Sequence, residues 1–176
     1  MEKIHYTGLD SPIGEIWVAW DNIGVCCVAL ATAEEAFVKK IRRSMRASPS
    51  LNAKVHRDIT DEITAYFAGK LTRFSVPLHP AGAPFDMAVW EALRRIPFGE
   101  TRSYQDVAQD VGNPRACRAV GSANSRNPVA LIIPCHRVIR SNGSLGGFGA
   151  GVGIKEWLLA FERNIFLGRS ETYREG

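Results

Sequence analysis

The residues Leu131-Ile132-Ile133-Pro134-Cys135-His136-Arg137-Val138-Ile139 form an apolar run that stops at a proline and then sets a thiol, an imidazole and a guanidinium side by side. A cysteine attacks as its thiolate, and near its unperturbed pKa of about 8.5 it is mostly protonated at neutral pH. A base must therefore take the proton, and His136 is the nearest candidate in sequence. Neighbouring side chains on an extended segment point to opposite faces, so a bridging water is the expected link between the two. A bare Cys-His pair is more often a packed cysteine beside an unrelated histidine, because most cysteines behave as small hydrophobes. The surroundings have to decide. Further along, Glu162 falls on a helical pattern with Trp157, Leu158 and Phe161 turned inward. A carboxylate on the distal nitrogen of His136 would fix its tautomer and strengthen it as a base, the logic of a nucleophile, a base and a group that orients the base.

The elements ahead of this run predict what presents the thiol. Phe85, Val89, Leu93 and Ile96 share one face of a helix over 84–96, which Pro97-Phe98-Gly99 ends. A short helix in the stretch 101–111 follows, which Ser103 could cap, then a Gly112-Asn113 turn and a second helix over 115–124 with Pro114 at its first position. Helix, glycine turn and helix make a helix-turn-helix pattern. In the second helix Ala116, Ala119, Gly121, Ser122 and Ala123 are small and Arg118 is the long side chain among them. A major-groove reader carries several long polar side chains to base edges. Small residues instead let a backbone come close, which suits a narrow minor groove or tight helix packing. Arg118 is then a surface residue or a probe that fills the stack when a base is extruded. If the thiol lies in a pocket behind this helix, the base it acts on must leave the stack to reach it. The Gly143 to Gly151 loop with Phe148 could form a pocket wall that packs on a flat purine.

The first half reads as a small antiparallel α/β unit. Strands over 4–6, 14–20 and 25–30 surround an Asp21-Asn22-Ile23-Gly24 turn. A helix over 33–45 and a second over 56–67 stopped by Gly69 follow, and residues 74–78 fit a last strand. His79-Pro80-Ala81-Gly82-Ala83-Pro84 is the natural linker, dividing the chain into 1–80, 84–167 and a tail, 168–176. With 176 residues, 45% of them hydrophobic, the chain can bury a real core, and a net charge of +4 is compatible with a polyanion partner. The four cysteines, of which Cys26 and Cys27 sit in an apolar strand, suggest neither a disulfide framework nor a zinc site. Reduced thiols and the lack of an apolar span point to a cytoplasmic protein, nuclear if the source is a eukaryote, with no membrane partner.

Asn127-Pro128, the Pro134-Cys135-His136-Arg137 tetrad, the Gly143 to Gly153 segment and Lys155-Glu156-Trp157-Leu158-Leu159 together resemble the active-site block of the O6-alkylguanine-DNA alkyltransferases, over about residues 84–162. The resemblance implies a ribonuclease-H-like N-terminal domain and a mainly helical C-terminal domain holding a helix-turn-helix. It implies a monomer that binds duplex DNA through the minor groove, flips out O6-alkylguanine, and O4-methylthymine as well, and moves the alkyl group irreversibly to its own cysteine. On matching positions Cys135 is the acceptor, His136 the water-linked base, Glu162 its orienter, Asn127 a hinge and Tyr104 a proton donor to the base. Arg118 is the finger, with Ser103, Tyr104, Ala119, Gly121 and Ser122 on the DNA side. Pro134, Val138, Phe148 and Gly149 line the guanine pocket. Where members often carry tyrosine and serine, this chain has Phe148 and Gly149, so backbone groups would have to replace those hydrogen bonds. No metal or cofactor is implied. A thioether has no carbonyl for water to attack, so each molecule would act once. The competing readings are a lesion sensor, which would lack the cysteine, a turning-over Cys-His hydrolase, and a transcriptional helix-turn-helix protein.

Overall fold

The computed structural model describes residues 3–52 and 57–172. The chain divides into two compact units, one made of Met1–Ala81 with Pro128–Ile132, the other of Gly82–Asn127 with Ile133–Gly176.

The first unit is built on a sheet in the order β3-β2-β1-β4, with β1 His5–Leu9, β2 Ile16–Trp20, β3 Val25–Leu30 and β4 Ser50–Leu51. β1, β2 and β3 are antiparallel, while β4 runs parallel to β1, so the sheet is mixed where a purely antiparallel one was expected. The Asp21–Gly24 turn forms because the buried Asp21 carboxylate accepts from the Ile23 and Gly24 amides, and it also meets His79 Nδ1 at 2.6 Å. α1, Glu34–Met45, buries Phe37 and Ile41 on one face. Burial of side chains this size contributes about 1.5–3 kcal/mol each. Trp17 stacks on Phe37, and a Cβ at Gly8 would come within 2.7 Å of the Trp17 ring, so that close approach requires glycine. Cys26 and Cys27 are buried in this core, where burial pushes the Cys26 thiol up to about 12.

α2, Arg57–Phe67, buries Ile59, Ile63 and Tyr66 and ends at Gly69 in the left-handed region. The expected start at His56 lies outside the described residues. The expected strand over 74–78 is reduced to one parallel bridge, Val25 to Leu78. Pro77 has no N–H to give a ladder, and its carbonyl instead accepts from Val25. The apolar run before Cys135 is not a strand either. Leu131 has a φ of 74° and turns the chain, and Val129 bridges Val28 in the first unit, with Val28 N–H donating to the Pro128 carbonyl.

The second unit is mainly helical. α3, Pro84–Arg94, packs on α4, Tyr104–Asp110, and α5, Cys117–Ser125; β5, Arg102–Ser103, pairs in parallel with β6, Val138–Ile139; α6 is Val152–Thr172. α5 starts later than expected, because Pro114 and Arg115 form a turn and Pro114 is not a first helical residue. α6 is longer than the 155–162 expected and carries the supposed tail from Gly168 on as helix up to Thr172. Among the described residues, no helix is long and apolar enough to cross a membrane.

Candidate active site

The helix-turn-helix is held by side chains. Ser103 and Asp106 form a capping box at the start of α4: Asp106 N–H donates to Ser103 Oγ at 3.0 Å and Ser103 N–H to Asp106 Oδ2 at 2.8 Å. Gln105 then spans the turn, its Nε2 donating to the Pro114 carbonyl and its Oε1 accepting from the Cys117 thiol, each at 2.8 Å. α5 is fixed to α3 by Trp90 Nε1, which donates to the Ala123 carbonyl at 2.9 Å. The Arg126 guanidinium also grips the buried Asp86 carboxylate through two bonds of 2.7 and 2.8 Å. That hydrogen bond holds Asp86 below its ordinary pKa.

Cys135, His136 and Arg137 form a single 3-10 turn after Pro134, not an extended segment. The turn puts both His136 and Arg137 onto Glu162 of α6. Glu162 Oε1 accepts from His136 Nε2 at 2.8 Å and from Arg137 Nη2 at 2.9 Å. Its Oε2 accepts from Arg137 Nε at 2.9 Å and from the Gly99 amide at 3.0 Å. Arg137 Nη1 donates to the Ile96 carbonyl at 2.7 Å, tying the turn to the end of α3. His136 and Glu162 are both 0% exposed. Burial opposes the Glu162 charge, but the hydrogen bonds and charges of His136 and Arg137 outweigh it, and the carboxyl lies well below the usual carboxylate range. Burial lowers the His136 pKa despite Glu162, so the imidazole is neutral at neutral pH. With an ionised carboxylate on Nε2, that nitrogen carries the proton and Nδ1 holds the lone pair. Among the described residues, no protein group hydrogen-bonds Nδ1.

Cys135 is 6% exposed, and burial raises the pKa of its thiol. Two groups oppose this: the Asn127 amide, which hydrogen-bonds the sulfur, and the nearby Lys155 ammonium. Asn127 Nδ2 also donates to the Ile133 carbonyl at 2.9 Å, so one side chain closes the chain on both sides of residues 128–132. Lys155 is buried, donates to the Val138 carbonyl at 2.6 Å, and has its pKa pulled down to about 8 by burial.

A cavity of about 580 Å³ opens over Cys135. Its walls include Tyr104, Arg118 and Gly121 from the helix-turn-helix and Gly146, Phe148 and Gly149 from the glycine-rich loop. The structure thus gathers Cys135, Tyr104, Arg118, Gly121, Phe148 and Gly149 around one space. Ala119 and Ser122 are exposed on α5, Ser103 serves as the α4 cap, and Pro134 and Val138 do not line the cavity: Val138 is fully buried and presents its carbonyl to Lys155. Three contributors were missed from sequence. Arg137 completes the Glu162 network, Lys155 faces the thiol, and Asn124 lines the cavity. Spacing was the available signal. Lys155, Leu158 and Glu162 stand at i, i+3 and i+7 on one buried helix face, and Cys117, Gly121 and Asn124 share a face of α5 at i, i+4 and i+7. Among the described residues, no group of three or more His, Cys, Asp or Glu is placed to hold a metal ion.

Fold and site together define a group-transfer protein with a cysteine nucleophile set behind a helix-turn-helix. Residues 84–164 match the DNA binding domain of 6-O-methylguanine DNA methyltransferase, and residues 4–80 match the ribonuclease-like domain of the same family. The methylated-DNA–protein-cysteine methyltransferase of Methanosarcina acetivorans is 45% identical over 159 residues, covering 90% of this chain and 98% of that protein. The Mycobacterium tuberculosis protein of the same name is 42% identical over 161 residues, covering 92% and 93%. The crystal structure of Mycobacterium tuberculosis OGT in complex with DNA superposes with a TM-score of 0.82 at 39% identity, covering 92% of this chain and 94% of that one. The chain belongs to the 6-O-methylguanine DNA methyltransferase family, and its catalytic activity is that of a methyltransferase.

Proposed function

We propose that this protein repairs duplex DNA by direct reversal, taking the alkyl group of O6-alkylguanine onto Cys135 in a reaction each molecule performs once. The carrying observation is the position of the thiol: buried, at a cavity whose wall is the second helix of the helix-turn-helix. A base stacked in a duplex cannot bring its O6 substituent there, so the nucleotide is flipped out. α5 lies in the minor groove, with Ala119, Gly121 and Ser122 against the backbone and Arg118 filling the place the base has left. Packing inside the protein does not demand the glycine at 121, since a Cβ there would sit 3.8 Å from the Tyr104 ring, an ordinary contact. Its small size serves the outer face. Ser103 keeps its hydroxyl proton to donate to a phosphate while its oxygen caps α4.

In the transfer, the Cys135 proton passes through a water to His136 Nδ1, while Glu162 holds Nε2–H and remains ionised. Lys155 and Asn127 favour the resulting thiolate. The sulfur attacks the alkyl carbon, an S–C bond forms, the C–O6 bond breaks, and the electron pair passes to the guanine. Tyr104 O–H donates to the departing base. Phe148 packs on the purine, and the backbone of the Gly146–Gly149 loop replaces side-chain donors. O4-methylthymine is a second substrate, the protein acts as a monomer, and it works in the cytoplasm, or the nucleus of a eukaryote.

The test is intact-protein and peptide mass spectrometry after incubation with excess duplex oligonucleotide carrying one O6-methylguanine, beside a Cys135→Ala control. The expected result is one added methyl on the peptide containing Cys135, with no second addition. Binding without methylation, or methylation that survives Cys135→Ala, overturns the reading.

A further inference from the structure

Two arginines line the cavity over Cys135, Arg118 from α5 and Arg140 from the turn that follows β6. Every residue of the wall belongs to the second unit, and among the described residues none of them is an aspartate or glutamate. Elsewhere in that unit guanidinium groups are matched to carboxylates: Arg126 to Asp86, Arg137 to Glu162 and Arg94 to Glu91. The Arg118 and Arg140 side chains have no ion pair or hydrogen bond among the described residues. Arg140 is exposed, so its guanidinium stands at the mouth of the cavity. Its backbone, by contrast, is closely held. Arg140 N–H donates to the Ser144 carbonyl at 2.8 Å and its carbonyl accepts from Gly143 N–H at 2.9 Å, with Gly143 in the left-handed region at a φ of 85°. Asn142 Oδ1 accepts from the Ser144 amide at 3.1 Å and from the Ser144 hydroxyl at 2.8 Å, closing the turn a second time. A cationic wall without a counter-charge attracts an anion. Extruding a nucleotide rotates it about its backbone, which brings its sugar and the two phosphates flanking it to the mouth of the pocket that takes the base. Arg118 fills the gap left in the stack, and Arg140 is the remaining cation of the wall, with paired N–H donors that fit phosphate oxygens.

We propose that Arg140 is a phosphate-binding residue of the alkyl-transfer site: its guanidinium holds one of the two phosphates flanking the flipped nucleotide and so retains the base against Cys135. This rests on the function proposed above. The contact forms only once the base has left the stack, so it favours the extruded state over the stacked one and adds little to the docking of α5 on intact duplex. Arg118 acts on the gap in the duplex, and Arg140 acts on the nucleotide that left it. No proton or covalent bond changes at Arg140.

The experiment compares wild type, Arg140→Gln and Arg140→Lys in the rate of methyl transfer from O6-methylguanine duplexes. One duplex has all its phosphates charged, and two others carry a neutral methylphosphonate at the 5′ or the 3′ phosphate flanking the lesion. The free base O6-methylguanine, which has no phosphate, reads the thiol chemistry alone, and melting temperature and affinity for unmodified duplex are recorded for each protein. For Arg140→Gln the ratio of duplex rate to free-base rate is expected to fall about 10-fold, the scale of one charged hydrogen-bonded contact. Arg140→Lys falls by less, because it keeps the charge and loses the paired donors. With the methylphosphonate at one of the two positions wild type slows by a similar factor, and there Arg140→Gln costs nothing further; at the other position its full loss remains. Affinity for unmodified duplex stays within about 2-fold. An unchanged ratio in Arg140→Gln, or a loss that persists in full on both methylphosphonate duplexes, overturns the inference and leaves the function in place. So does a loss matched by an equal drop in affinity for unmodified duplex, which marks a general attraction to DNA. A wild-type protein that takes no methyl group from any of these substrates overturns the function, and this inference with it.

Discussion

Replacing Glu162 with glutamine tests whether the buried network around the base is held by charge. The carboxylate accepts hydrogen bonds from the Arg137 guanidinium on both oxygens, from His136 and from the Gly99 amide, and Arg137 is itself only 6% exposed. Glutamine keeps one acceptor oxygen, turns an NH2 toward groups that are already donors, and leaves the guanidinium without its counter-charge. Breaking a buried ion pair from one side costs about 3–5 kcal/mol. For a chain of this length each kcal/mol moves the melting temperature by roughly 2–4 °C, so Glu162→Gln is expected to melt about 6–20 °C lower at neutral pH. The pH dependence has a definite sign. The folded-state pKa of Glu162 is lowered, so its stabilisation is fully present above the unfolded carboxyl value of about 4.3 and is lost as the pH falls through the folded one. The gap between wild type and variant should therefore close in acid. Arg137→Met/Glu162→Leu removes both charges and should recover about half the loss, the remainder reflecting the unmet His136, Gly99 and Ile96 groups. Thermal unfolding followed by circular dichroism measures all three. A single variant melting within about 2 °C of wild type, or a double variant melting below the single one, refutes the reasoning.

Ser103→Ala removes the α4 cap and should cost about 1 kcal/mol of stability, seen as a lower denaturant midpoint with an unchanged slope. Gly146→Ala places a Cβ 2.8 Å from the Tyr104 hydroxyl at a φ of 72°, so methyl transfer should slow and stability drop by more than about 1 kcal/mol; a variant with wild-type kinetics would show that the loop yields freely. Lys155, with its pKa lowered to about 8, gives up its proton in the folded state while the unfolded chain keeps it to about 10.4. Wild-type stability from this group therefore rises with pH across that window. Lys155→Met lacks the rise, and a melting-temperature difference that stays constant from pH 8 to 10.5 would contradict the buried-amine account.

Much of this was legible because local chemistry and tertiary demand agreed. The two helices either side of Gly112, the capping role of Ser103 and the stop at Gly69 follow from residues whose conformational preferences the fold uses directly. Glu162 and His136 could be paired in principle from their chemistry, and the 2.8 Å contact is there. The misses share a cause. The run Leu131-Ile132-Ile133 looked strand-like because it is apolar, but Leu131 in the left-handed region turns it. The 3-10 turn at Cys135 was invisible because nothing in Cys-His-Arg prefers it; the convergence of two side chains on Glu162 imposes it. Lys155 was given no role from sequence because lysine is seldom buried, and the Val138 carbonyl it donates to is what shows its place in the site. Pro114 was read as a helix start from its own preference, whereas Gln105 fixes its carbonyl in a turn.

The five residues Pro128–Ile132 belong to the first compact unit, although the chain on both sides of them belongs to the second. This limits how the protein can be dissected. A fragment beginning at Gly82 would carry Val129, Leu131 and Ile132, all buried in the whole chain, without the sheet that Val129 joins. The stretch leading into Cys135 would then be a sticky, unanchored loop. The reactive half is therefore not a portable module, and its heritable and expressible unit is the full chain. Limited proteolysis should likewise spare the crossing at 128–132 for as long as the first unit stays folded.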